Sequence, residues 1–328
     1  MAAPLVVPGR SVTGSGASGR AAARPYLGIG LKVLSALAFT LMSAGVKVLA
    51  DRFPTGEIVF FRCFIAIAPL LLWLRWQGSV RDAVRTQNLR GHVLRSIIGA
   101  CGMFAGFAGL SFLPLSDAVA IGYASPILVV VLAAVVLRER VQAYRWAGVS
   151  VGFLGVLITL APHLEFGGSS GGGTTGALFA ILAAACSAAA TIQVRKLTGT
   201  ERTGAIVLYF FLFTSLLGLS TLALGWKMPG WSDLALFVVV GVLGGIGQIL
   251  LTESYRHGDA SLVAPFEYTT MLWSVLIGWF VFGQLPTAAI AIGGGIVAAA
   301  GVFVVWRERR LAVERAREAA AGGLTAGR

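Results

Sequence analysis

SDAVAIGYASPILVVVLAAVVLRERV, Ser116 to Val141, is an apolar run over residues 116–137 with Pro126 near its middle, closing on Arg138, Glu139 and Arg140. A helix needs about 20 apolar residues to cross a bilayer, and this run has that length. The layout returns in LLTESYRHGDASLVAPFEYTTMLWSVLIGWFVFGQLP, Leu250 to Pro286. With Glu139 placed opposite Gln284, Tyr123 falls opposite Tyr268, Ser116 opposite Ser261, and Gly148 opposite Gly293. Each segment is a long apolar helix, a polar break and a Gly-rich helix.

Outward from these two segments, apolar runs occupy 27–50, 57–75, 91–112, 116–137, 143–162, 176–194, 203–225, 234–255, 260–283 and 287–306. Strands of a barrel would alternate in segments of about ten residues. Continuous runs must be helices, because lipid offers the backbone no hydrogen bonds. The Gly-rich stretch from Gly167 to Gly173 divides the runs into two sets of five. An odd number of helices per set forces the second set to enter the membrane from the opposite side, which makes an inverted repeat. The expected fold is all-α integral membrane: about ten transmembrane helices as two inverted five-helix repeats. The expected division is a disordered tail over 1–26, repeats over 27–162 and 176–306, a linker over 163–175, and a basic tail over 307–328.

Composition agrees. The chain is 57% hydrophobic and 12% charged, with mean hydropathy +0.83; soluble domains are about a quarter charged. The net charge of +12 is explained by where the charges sit. One set of alternate loops holds Arg81, Arg85, Arg90, Arg138, Arg140, Arg145, Arg195, Lys196, Arg202 and Arg256, and the other holds Arg52 and Lys227. By the positive-inside rule the first set and both termini are cytoplasmic. No nucleic-acid-binding motif accompanies the charge. The tail before Leu27 carries Arg10, Arg20 and Arg24 but lacks the apolar stretch of a signal peptide.

Catalytic motifs do not fit. Gly148-Val149-Ser150-Val151-Gly152 matches GxSxG but lies inside an apolar run, without the strand-to-helix turn of a nucleophile elbow. GGSSGGG lacks the lysine of a phosphate-binding loop. Cys63, Cys101 and Cys186 are widely spaced inside apolar runs and suggest neither disulfide nor zinc. No metal and no cofactor is expected. The pairs Gly102/Gly106, Gly148/Gly152 and Gly241/Gly245 have the spacing that lets helices approach closely. Monomer and homodimer both fit that pattern.

The segments Ser116 to Val141 and Leu250 to Pro286, with VKVLADRFPTGEIVFFR (Val46 to Arg62), resemble EamA-type members of the drug/metabolite transporter superfamily. Glu139 fits the acidic residue that closes the Pro-containing helix in that family. Gln284 and Met271 depart from the pattern in the second copy. The resemblance implies ten helices around a central cavity, a small-molecule substrate, and transport of amino acids, amines, carboxylates, nucleotide-related metabolites or vitamins.

An ionisable side chain inside the bilayer is a functional candidate, because burying it there is costly. Glu267 lies well inside its run, just after Pro265, whose ring frees carbonyls and bends the helix. It is expected to contact substrate or a coupling proton. Pro126 is expected to bend its own helix. Polar residues that could line a cavity are Tyr123, Ser125, Thr191, Gln193, Gln248, Tyr268, Thr269 and Thr270, with Trp273 as a stacking surface. Lys47, Glu57, Arg62 and Asp117 fall near the outer ends of their helices and are expected to form a periplasmic-side charge network. Glu253 is expected to pair with Arg256 by helical spacing. The resulting expectation is a secondary transporter of the bacterial inner membrane, working by alternating access on an amino acid, amine or related solute. The alternatives are a membrane-embedded enzyme of lipid or isoprenoid chemistry and an uncoupled channel.

Overall fold

The computed structural model of the chain describes residues 25–78, 80–136, 143–160, 171–257, 263, 266–267, 269–283 and 287–325. Among them there is no strand. The first half contains α1 (Pro25–Ala50), α2 (Thr55–Trp76), the short α3 (Val80–Val84), α4 (Leu89–Phe112), α5 (Leu115–Gly122), α6 (Ala124–Val136) and α7 (Ala143–Leu160). The second contains α8 (Gly171–Thr198), α9 (Thr203–Leu219), α10 (Trp231–His257), α11 (Thr269–Phe282) and α12 (Ala288–Thr325). A 3₁₀ turn, Ser220–Leu224, follows α9. Among the described residues six helices are long and apolar enough to cross a membrane, and shorter apolar helices cover 117–129, 146–155, 272–282 and 288–303.

Several boundaries differ from the sequence reading. The run over 116–137 is two helices, because the chain turns at Tyr123 before resuming at Ala124. Pro126 is the third residue of α6, where its missing N–H would have reached back to Gly122; the helix breaks just upstream instead of bending around the ring. Its counterpart is also irregular: Phe266 and Glu267 lie in a 3₁₀ turn just ahead of α11. Helix α8 starts at Gly171, inside the stretch read as linker, and α12 continues through the basic tail to Thr325.

Packing repeats between the halves in inverted order. The heaviest contacts, α1 with α10 and α8 with α4, exchange under the operation that maps α1 onto α8 and α4 onto α10. The pairs α2–α10 and α9–α4, and α6–α8 and α11–α1, exchange likewise, while α2–α9 and α7–α12 map onto themselves. The glycines of α10 permit its central position. A Cβ on Gly245 would sit 2.8 Å from Pro69 Cγ and 3.0 Å from Ala66 O of α2, and one on Gly247 would meet the Phe39 ring of α1 at 3.0 Å. Across the α4–α8 seam, a Cβ on Gly102 would lie 2.9 Å from Cys186 Cβ. These are the close approaches that small-xxx-small spacing allows.

The outward surface is apolar, with Trp76, Trp231, Phe280 and many leucines exposed. Such a surface suits lipid, and tryptophans near helix ends suit the interface.

Candidate functional site

Glu267 makes an ion pair with Lys32 of α1. The lysine side chain is 2% exposed and the glutamate 37%. The Tyr255 ring of α10 lies 5.3 Å from the ammonium. One turn along α1, Ser35 Oγ donates to Gly247 O of α10 at 2.8 Å, which fixes the register of the two helices around the lysine. A buried charge removed from water costs several kcal/mol unless paired, so the buried lysine depends on the glutamate.

The pair sits where the two irregular helices meet. Thr270 Oγ1 donates to Glu267 O at 2.6 Å. Tyr123 OH lies 2.9 Å from the same Thr270 oxygen. The threonine's one proton is already committed, so the tyrosine is the donor. The break between α5 and α6 is thereby tied to the 3₁₀ turn ahead of α11, and those are equivalent positions of the two repeats. Thr269 Oγ1 closes the same turn on Phe266 O at 2.7 Å. Gln248 is buried on α10. The Trp273 indole N–H is buried without an acceptor among the described residues. Glu139, Pro265 and Tyr268 lie outside the described residues.

Lys47 and Asp117 lie in electrostatic reach of each other, whereas Glu57 and Arg62 turn to other partners. Lys47 Nζ donates to Leu113 O at 2.7 Å and Leu110 O at 3.2 Å, with Asp51 and Asp117 in electrostatic reach. Glu57 Oε2 instead accepts from the Lys227 backbone N–H at 3.0 Å, across the boundary between the halves. Arg62 turns into the protein, where its guanidinium lies 5.4 Å from the Phe211 ring. The reason is the face of α2: Glu57 looks along the helix end toward the α9–α10 loop, while Arg62 faces α9 and α10. Of the remaining polar candidates, Thr191 Oγ1 bonds back to Ser187 O within α8, and Ser125 and Gln193 are half-buried. Glu253 meets Arg256 at 3.9 Å and His257 at 3.4 Å.

Two charged residues outside the sequence-derived set, Lys32 and Arg95, are buried. Both lie inside apolar runs, in GLKVL and VLRSI, so the intramembrane-charge criterion that selects Glu267 would have selected them too. A third buried group, Glu201, lies in the α8–α9 loop. Its Oε1 accepts from Thr86 Oγ1, Gln87 N and Asn88 N, each at 3.0 Å, and Oε2 lies 3.6 Å from His92 Nε2. It caps the approach to α4, where unpaired backbone N–H groups favour a carboxylate. Burial pushes the Glu201 carboxyl up, but the hydrogen bonds from Gln87 and Thr86, the nearby His92 and the Asn88 N–H outweigh it and hold it below the ordinary glutamate value.

The sequence profile of the EamA-like transporter family matches this chain twice, over residues 26–161 and 174–307. The chain belongs to that family. It is therefore a multi-pass membrane transporter of the drug/metabolite transporter type, and not an enzyme. It is 32% identical to a riboflavin transporter of Rhizobium johnstonii over 290 residues, covering 88% of this chain and 93% of that one. It is 28% identical to an S-adenosylmethionine uptake transporter of Rickettsia bellii, covering 87% and 95%. A pseudopaline exporter of Pseudomonas aeruginosa is likewise 28% identical, covering 86% and 97%. A crystal structure at 20% identity shares the fold, with a TM-score of 0.63 over 88% of this chain and 96% of that one. Bacterial relatives named for small metabolites place this EamA-like protein in a bacterial membrane with a small-molecule substrate.

Proposed function

We propose that this protein is a secondary transporter of the bacterial inner membrane, with cytoplasmic termini, that moves a small organic solute by alternating access. The observation that carries this reading is the Lys32–Glu267 ion pair at the junction of the two irregular helices. A pair that is one-sidedly accessible is an exchangeable lock. A proton or a cationic group of the solute reaching Glu267 displaces Lys32, and departure of that cation restores the pair. The favoured solute is an amino acid, amine or related metabolite. The Trp273 N–H, which has no acceptor among the described residues, is available to a solute oxygen. Tyr123 and Thr270 couple Glu267 to the first repeat, so loss of the Lys32 contact is felt at both helix breaks.

Rocking of the halves requires contacts between them to break at one face while they hold at the other. Glu57–Lys227 and Arg52–Asp233 are such contacts at the loops poor in basic residues. Glu201 with Thr86, Gln87 and Asn88 forms one at the arginine-rich loops.

The test compares metabolites inside and outside cells overexpressing the wild-type protein or Glu267→Gln. One solute class moved by the wild type, with flux reduced at least tenfold in the variant, is the expected result. Equal flux in both would remove Glu267 from the mechanism. No solute moved by the wild type, with a change in membrane lipid instead, would end the transporter reading of this site.

A further inference from the structure

Arg62 of α2 and Arg95 of α4 are buried in membrane-spanning helices, 2% and 5% exposed. Neither has a carboxylate partner among the described residues. Among the described residues the Nε of both and the Nη1 of Arg95 lack any acceptor, and Arg62 Nη1 has only the Cys63 sulfur at 3.5 Å. Ser96 Oγ, next along α4, and Thr214 Oγ1 on α9 are also buried without a partner. The titratable groups acting on Arg95 are Arg62 and the Cys63 thiol, so the two guanidinium groups face each other without an acid.

The Cα positions explain how they meet. Arg62 lies seven residues into α2 from one face, about 10 Å, and Arg95 six residues into α4 from the other, about 9 Å. In a core about 30 Å thick their long side chains reach toward a common level near the midplane. Aromatic rings hold the heads: Phe211 at 5.4 Å from Arg62 and Phe210 at 4.0 Å from Arg95, both on α9. Rings orient a guanidinium and offset part of its burial while leaving its N–H edge free. Two forked, always-charged donors fixed in this way match the planar geometry of a carboxylate or phosphate.

We infer that Arg62 and Arg95 form an oxyanion-binding site between α2, α4 and α9, which takes the carboxylate or phosphate of the transported solute. This rests on the transport reading for its consequence: the solute carries an anionic group as well as any cation that meets Glu267. The site is separate from the lysine lock. Along α10 the contact of Arg62 is Gly244 and that of Lys32 is Tyr255, eleven residues apart, or about 16 Å.

The test uses the purified full-length protein in phosphatidylcholine nanodiscs, with succinate and inorganic phosphate as probes against chloride at equal ionic strength. At a hundredfold excess over its dissociation constant, a bound anion should raise the wild-type Tm by about 4 °C. Arg95→Gln should abolish that rise. Its Tm without anion should equal or exceed that of the wild type, because an unpaired buried charge has been removed. A purely structural arginine gives the opposite pattern, with a lower Tm and an unchanged anion response, and would overturn the site. If Arg95→Gln does not accumulate, Arg95→Lys carries the test: loss of the forked geometry should weaken the anion by about tenfold. Stabilisation by added phosphatidylglycerol but by neither soluble anion would assign the site to lipid and overturn the solute assignment. Solute flux in cells with no anion response overturns the site and leaves transport standing. An anion response without flux does the reverse.

Discussion

The two ends of the molecule each carry a carboxylate near the start of the second helix of a repeat, and the two carboxylates do unequal work. Glu57 opens the second helix of the first repeat, and Glu201 precedes the second helix of the other. Each reaches across to a loop of the opposite half: Glu57 to the α9–α10 loop, Glu201 to the α3–α4 loop. Glu201 accepts three hydrogen bonds on one oxygen and has His92 beside the other. Glu57 accepts one, and its Oε1 is buried without a donor. The count of donors sets which end holds harder. Here the arginine-rich end holds harder.

Glu201→Ala should show the largest effect. It leaves two backbone N–H groups and a hydroxyl without their acceptor, a loss of about 2–4 kcal/mol. The Tm should fall accordingly, and a cysteine placed at Gln87 should label faster from the arginine-rich side. The same contact has a pH signature. The folded Glu201 carboxyl is held below its unfolded value, so its contribution is fully present above the unfolded pKa, about 4.3. It is lost as pH falls through the folded one. The stability gap between wild type and Glu201→Gln should therefore be constant from pH 7 to about pH 5 and narrow below pH 4. A gap that widens on acidification would break the comparison.

Glu57→Ala should cost less, about 1 kcal/mol, since one hydrogen bond is lost and an unsatisfied oxygen goes with it. Labelling should increase on the opposite side only. If Glu57→Ala destabilises more than Glu201→Ala, the order of the two ends is reversed. Arg52→Ala should be smallest. Its pair with Asp233 is 2.8 Å long, but the arginine is 59% exposed, and exposed pairs contribute about 0–1 kcal/mol and weaken with salt. A measured change above that range would mean the contact holds the two halves together at that end.

Span count, repeat and family were legible because each rests on a property of consecutive residues. A run such as 203–225 is apolar whatever it packs against, and the odd number of runs per half fixes inversion by counting. Glu267 was legible for the same reason, as an acid inside a run. The four-residue charge network was not: nearness to a helix end says how deep a residue lies but not which neighbour its face meets. Arg62 and Glu57 are five residues apart on α2, and they part company.

What the sequence by itself determined, then, is everything that follows from solvent and periodicity: lipid-facing helices, two inverted halves, the arginine-rich end, and an acid inside an apolar run. What only the tertiary structure decided is pairing. Lys32 meets Glu267 across 235 positions of chain, Tyr123 meets Thr270 across 147, and the heads of Arg62 and Arg95 come together on rings of α9. A charge buried in a low-dielectric interior is governed by its nearest neighbours in space. Those neighbours are set by helix rotation and crossing, which no single run of residues encodes.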